Sequence, residues 1–170
     1  MKKRGQSNFP VTHAHRSCYR KIALTPFFLF AASQAAAAFD ANGVALGAAE
    51  GEIRKQFPSA HCKPLEWSSR AAERRCDDSK IVFGGVQARI TFYLKNGAVE
   101  AFDVRFAARD LGRLSAFLKS RYGKPASEEA YRLLWKNNRE RAELVAPPDK
   151  RRGSLLVSRG DFEEEIYRVR

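Results

Sequence analysis

The sequence predicts an α+β fold, an antiparallel β-sheet with helices packed on one face, and three observations lead there. Residues 86–106 are the longest unbroken run of β-formers and carry Asn96-Gly97, the dipeptide most strongly tied to hairpin turns. Two helical patterns end in an aromatic residue shortly before a proline, at Phe57-Pro58 and at Tyr122-Gly123-Lys124-Pro125. Each of them runs on into antiparallel strand patterns, which suggests a tandem helix-plus-hairpin repeat with sub-units 39–106 and 107–170 inside one domain, 39–170.

The first 38 residues are read as a signal peptide. Lys2, Lys3, Arg4, Arg16, Arg20 and Lys21 precede an apolar stretch over 22–32, and Ala36-Ala37-Ala38 fits the small-residue cleavage pattern. Cleavage near Ala38 would place the mature chain in the periplasm or outside the cell. The apolar stretch falls short of the ~20 residues that span a bilayer, so no stable membrane insertion is expected after cleavage. Cys18 lies before the apolar run rather than after it, which argues against a lipid anchor.

The whole chain carries 31 basic and 19 acidic residues, but six of the basic and none of the acidic residues precede Phe39. The remaining 132 residues therefore hold 25 against 19, a net +6. Such an excess favours anionic envelope components or an acidic periplasmic protein as partner and is weak grounds for nucleic acid, which is not expected as a partner.

In chain order, residues 39–45 read as a frayed start or a short edge strand. A short helix follows to Phe57, with Ala49, Ile53 and Phe57 on one face and Pro58 as its stop. Cys62 and Cys76 are the only cysteines left after cleavage, and in an oxidising compartment they are expected to form a disulfide. The segment they enclose holds only Leu65 and Trp67 as large apolar residues, too few to order it unaided, and a short strand is expected at 81–83.

For the 86–106 hairpin, a two-residue loop would set Ile90 against Asp103 and so bring charge onto the apolar face. A three-residue loop, Lys95-Asn96-Gly97, instead pairs Leu94 with Ala98, Ile90 with Phe102, Ala88 with Val104 and Val86 with Phe106. On the other face it sets Tyr93 against Val99 and Arg89 against Asp103, and this is the register expected.

Asp110 is placed as the N-cap of a helix marked by Leu111, Leu114, Leu118 and Tyr122, which Gly123 and Pro125 end. A second hairpin around Asn138-Arg139 would pair Trp135 with Ala142, Leu133 with Leu144 and Tyr131 with Ala146. A solvated basic turn over 149–153 leads to a strand at 154–158. A terminal helix then opens at Gly160-Asp161, with Asp161 and Glu164 at capping-box spacing and Phe162, Ile166 and Val169 inward.

Residues that could carry chemistry are few. His61 adjoins Cys62, and neighbours on an extended chain point to opposite faces, so they make a poor nucleophile pair. His61, Cys62, Cys76, Asp77 and Asp78 match no recurrent zinc spacing. Asp77-Asp78 and Glu163-Glu164-Glu165 read as turn and helix-start residues, and Gly84-Gly85 lacks the lysine and helix of a phosphate loop. No catalytic, cofactor-binding or metal residue is therefore assigned. Arg70, Arg74, Arg75, Lys150, Arg151 and Arg152, with Trp67 nearby, form the candidate basic surface.

In their helix, proline stop and following strands, residues 46–58 and 118–125 resemble small periplasmic domains of the SmpA/OmlA type and the tandem repeats of β-lactamase-inhibitor proteins. With no catalytic constellation in the sequence, the preferred reading is a non-catalytic periplasmic binding or inhibitor-like module that uses the sheet face or the basic loops. This chain lacks the lipobox cysteine of the SmpA/OmlA family. The alternative is a hydrolase acting on an envelope polymer through carboxylates.

Overall fold

The computed structural model describes residues 38–137, 139–159 and 162. The expected signal peptide lies outside them, apart from Ala38, and so does the terminal helix apart from Phe162.

The described chain opens with a two-stranded ribbon, β1 (Asp40–Ala41) and β2 (Val44–Ala45). Asn42 and Gly43 both take positive φ, 47° and 93°, so the stretch read as a frayed start is a second Asn-Gly turn. The helix α1 (Glu50–Gln56) follows, and the Phe57 amide caps it by donating to the Ile53 carbonyl at 2.7 Å. Next come β3 (His61–Pro64), β4 (Arg74–Phe83), β5 (Val86–Lys95) and β6 (Ala98–Ala107). A 3-10 turn leads into α2 (Leu111–Tyr122), and β7 (Ser127–Glu129), β8 (Arg132–Asn137), β9 (Glu140–Val145) and β10 (Arg152–Arg159) complete the chain.

The molecule is a mixed α+β fold dominated by its antiparallel sheet. Eight strands lie in the order β3-β4-β5-β6-β10-β9-β8-β7. A helix precedes each four-stranded meander, and the last strands of the two meanders, β6 and β10, pair antiparallel at the centre, with Phe102 opposite Val157. The main core gathers Ile90, Phe92 and Leu94 of β5, Phe102 and Val104 of β6, and Leu144 and Leu155 across the seam. Ile53 and Phe57 from α1 and Leu114 and Leu118 from α2 join the same cluster. Phe57 meets Phe92 edge-on at 5.2 Å between ring centres, and Phe117 meets Phe83 at 5.4 Å. Each such buried side chain contributes roughly 1.5–3 kcal/mol.

The 86–106 hairpin differs from its expected register. Asn96 and Gly97 have φ of 51° and 76°, a two-residue turn that pairs Lys95 with Ala98 and Leu94 with Val99. A bulge at Glu100 then shifts the register, so Tyr93 faces Ala101, Ile90 faces Val104 and Ala88 faces Phe106. The twist of the strands favours the two-residue turn, and the bulge removes the cost that counted against it, since Asp103 no longer faces Ile90. Past the bulge the observed pairs differ from the expected ones by two residues, which preserves the period of the strand, so those side chains keep the face assigned to them. Before it the offset is one, so Val99 joins Leu94 in the core instead of sharing a face with Tyr93, and Ala98 lies opposite Lys95. The partner of Arg89 changes as well, to Arg105 from Asp103.

The strand expected at 81–83 begins seven residues earlier, at Arg74. Its charges hid it, yet β3 and β5 flank it on both sides, and Cys62 lies directly opposite Cys76, to which it is disulfide-bonded. Asp110 stands at the N-cap position of α2 without a side-chain capping bond, because the 3-10 turn carries the chain into the helix. Gly123, at φ 81°, ends α2 as expected. The second hairpin keeps its expected register, with Trp135 opposite Ala142 and Leu133 opposite Leu144, while Asn138 lies outside the described residues. The strand expected at 154–158 sits in the middle of the sheet as β10. Phe162 is buried against Tyr93 at 5.4 Å. Asp161, Glu164, Ile166 and Val169 lie outside the described residues.

Candidate functional site

Alternation along the strands sends one set of side chains to the core and the other to the opposite face, where the charges fall in rows. One row runs across Asp77, Thr91, Asp103, Leu156 and Glu143, each the register partner of the next. A basic row flanks it on either side. Arg75, Tyr93, Ala101, Ser158 and Arg141 form one, and Arg89, Arg105, Ser154, Val145 and Arg132 the other.

The acidic row is neutralised from both sides. Arg75 lies 3.1 Å from Asp77, Arg105 donates to Asp103 at 2.8 Å, and Glu143 takes Arg141 at 3.0 Å together with Arg132. Thr91 adds a hydroxyl donor to Asp77 at 2.8 Å. Asp78 points the other way, opposite Ile90, where it is buried and accepts the Lys80 amide at 3.0 Å inside the β4 bulge. Asp77 and Asp78 therefore face opposite sides of the sheet and do not act as a pair. Glu163, Glu164 and Glu165 lie outside the described residues.

At one end of this face the charges do not balance. Arg89 stands directly opposite Arg105, and the two line a cleft of about 450 Å³ together with Lys80, Arg151 and Arg152. Ala88, Phe106 and Ala107 form its apolar part, and none of the described residues lining it is acidic. Arg151 and Arg152 arrive there because β10 begins opposite Ala107, the end of β6, and the Ala108 amide fastens the preceding turn by donating to the Arg151 carbonyl at 3.0 Å. Phe106 packs tightly over Gly153, where an added Cβ would stand 2.5 Å from its ring.

The six basic residues expected to form one surface thus divide. Arg151 and Arg152 line the cleft, and Lys150 is exposed beside them. Arg74 and Arg75 start β4 at the opposite end of the sheet, paired with Leu94 and Tyr93 next to the Asn96-Gly97 turn. Arg74 binds Glu50 at 3.0 Å, and Glu50 also accepts from Arg54 at 2.7 Å. These two guanidiniums, Arg54 first, hold the Glu50 carboxyl below the usual carboxylate range. Arg75 lies 3.5 Å from Glu66 and sits over the Trp67 ring at 5.7 Å. The Arg70 carbonyl accepts the Lys95 ammonium, and its side chain is exposed.

Lys80 and Arg105 went unrecognised in the sequence, and Arg89 is expected there on the exposed hairpin face, paired with Asp103 and outside the basic surface. The signal that could have found them is the register itself, since a two-residue Asn-Gly turn followed by one bulge sets Arg89 against Arg105. Among the described residues Glu50, Cys62 and Cys76 bring three potential ligand atoms within 4.8 Å of one another, but both sulfurs are spent in the disulfide and two arginines hold the carboxylate. At the ribbon end of the molecule, Arg121 donates to Asp40 at 2.9 Å and the Tyr122 hydroxyl donates to the Asp40 carbonyl at 2.8 Å. Burial raises the Tyr122 hydroxyl well above its ordinary pKa, so it stays a donor. Among the described residues no helix is long and apolar enough to cross a membrane. No protein-family model, curated protein or solved structure matches the chain.

Proposed function

We propose that this chain is an exported, non-catalytic binding module that docks an anionic envelope component at the cleft of Lys80, Arg89, Arg105, Arg151 and Arg152. The observation that carries the reading is the charge imbalance there: five cations and no carboxylate among the described lining residues, whereas Asp77, Asp103 and Glu143 on the same face are each engaged by an arginine. Clustered guanidiniums make forked, charge-assisted hydrogen bonds to anions, and Arg is suited to this by its planar donor set. The disulfide suits an oxidising compartment, periplasmic or extracellular, reached through the expected signal peptide. The mirrored strand order supports an architecture of two helix-plus-strand units, 39–106 and 107–170, with the helices covering one sheet face and the charged face left for binding.

Co-sedimentation of the mature protein with vesicles tests this. Binding is expected to vesicles containing phosphatidylglycerol and not to purely zwitterionic ones, and to weaken as salt rises because the contacts are electrostatic. Reversal of Arg151 and Arg152 to glutamate is expected to reduce it at least tenfold, while reversal of Arg74 and Arg75 leaves it in place. Equal binding to both kinds of vesicle, or loss only on reversing Arg74 and Arg75, contradicts the reading.

A further inference from the structure

We infer that the cleft is a seat for a phosphate-bearing ligand of at least two negative charges, built around the like-charged cross-strand pair Arg89 and Arg105. The inference rests on the binding-module reading and names the chemistry of its ligand.

Two arginines directly opposite on neighbouring strands repel, and such pairs weaken a sheet. The same face shows the usual remedy elsewhere, since Arg132 and Arg141 share Glu143. Asp103 accepts from the Arg105 Nε at 2.8 Å, while Arg89 is exposed. Lys80, Arg151 and Arg152 then add three further cations around the pair. Like-charged pairs recur on this face, Lys63 opposite Arg75 beside Glu66 and Asp77, and Lys136 opposite Arg141 beside Glu143, but around Arg89 and Arg105 the cations gather five together with no acidic residue among the described lining.

The number and type of the cations select the anion. A single carboxylate brings one charge and two acceptor oxygens, too few for a five-cation cleft. A phosphate monoester brings about −1.5 to −2 charges and three strong acceptor oxygens, and two adjacent phosphates bring more. The guanidinium fork matches phosphate oxygens in pairs, and Lys80 supplies a point charge. Ala107, on the same face as Arg105, leaves room for the carbon skeleton that carries the phosphate. Such a group could belong to a soluble phosphate ester or to a lipid headgroup.

The test uses the mature protein, its Arg89→Glu and Arg89→Gln variants, inorganic pyrophosphate, and vesicles containing phosphatidic acid. Pyrophosphate is expected to raise the melting temperature of the native protein by several degrees, as any ligand of the folded state does. In phosphate-free, low-salt buffer both variants are expected to melt no lower than the native protein, with Arg89→Glu the highest, because each relieves the repulsion. Both are expected to bind pyrophosphate at least tenfold more weakly. Vesicle binding that pyrophosphate competes away identifies a lipid headgroup as source, and pyrophosphate binding without vesicle binding identifies a soluble one; either supports the seat. Two results overturn the seat alone. One is vesicle binding with no response to pyrophosphate, which leaves the binding-module reading standing. The other is pyrophosphate binding unchanged in both variants. Absence of binding in both arms overturns the seat and the binding-module reading together.

Discussion

Glu50 shows how much a single carboxylate can hold together. It stands in the first turn of α1, accepts from Arg54 on its own helix, and reaches Arg74 on β4, so it ties the helix to the sheet beside the disulfide. Because its folded pKa lies below the ordinary value, its contribution is present above the ordinary carboxylate range and is lost as pH falls through the lowered value. Glu50→Gln is therefore expected to cost up to about 1 kcal/mol in urea unfolding at pH 7, and the difference from the native protein should vanish at a pH well below that range. A difference that persists in acid would show that packing, not charge, is responsible. Gly153 makes a steric prediction instead. A Cβ there would meet the Phe106 ring and, at 2.9 Å, the Val145 carbonyl. Gly153→Ala should cost about 1–3 kcal/mol in the same assay. At this scale the sequence was legible in part: Arg151 and Arg152 were recognised in a basic run, whereas Lys80, Arg89 and Arg105 are separated along the chain and meet only through strand pairing.

Among the elements, β3 and β4 depart furthest from what local pattern suggests. The enclosed segment has few apolar residues, and only its two ends are strand, held by the pairing of β3 with β4 across Cys62 and Cys76 and of β4 with β5. The disulfide closes a 15-residue loop, for which chain entropy gives about 3 kcal/mol. Reduction by dithiothreitol should lower the melting temperature by several degrees, and an unchanged melting curve would contradict this role. The central hairpin teaches a related lesson. Past the bulge, face assignment was legible because alternation has a period of two, but register was not, nor were the faces of Ala98 and Val99, since nothing in the local pattern of Val99-Glu100-Ala101 announces a bulge. The second hairpin, with no irregularity in its register, matched its expected pairs.

Across the whole molecule, the pairing of β6 with β10 makes one sheet of the two meanders. Phe102 lies on that seam, fully buried and 5.9 Å from Phe92. Phe102→Ala should cost about 3–5 kcal/mol and destabilise both halves together. Trp67 and Trp135 report on the two halves separately, so Trp67→Phe and Trp135→Phe versions should give coincident unfolding midpoints. The α+β class and the repeated order of helix and strands were legible in the sequence. The strand order was not, because the meeting of β6 and β10 is a long-range pairing that no local signal encodes. It is this pairing that brings Arg151 and Arg152 to Arg89 and Arg105, so the proposed function depends on the topology as much as on the charges. The most direct measurement is a heteronuclear NMR titration of the mature protein with inorganic pyrophosphate. The account predicts shifts concentrated at Lys80, Arg89, Arg105, Arg151 and Arg152 with Arg70, Arg74 and Arg75 undisturbed, whereas shifts centred on Arg70, Arg74 and Arg75, or none at all, would contradict it.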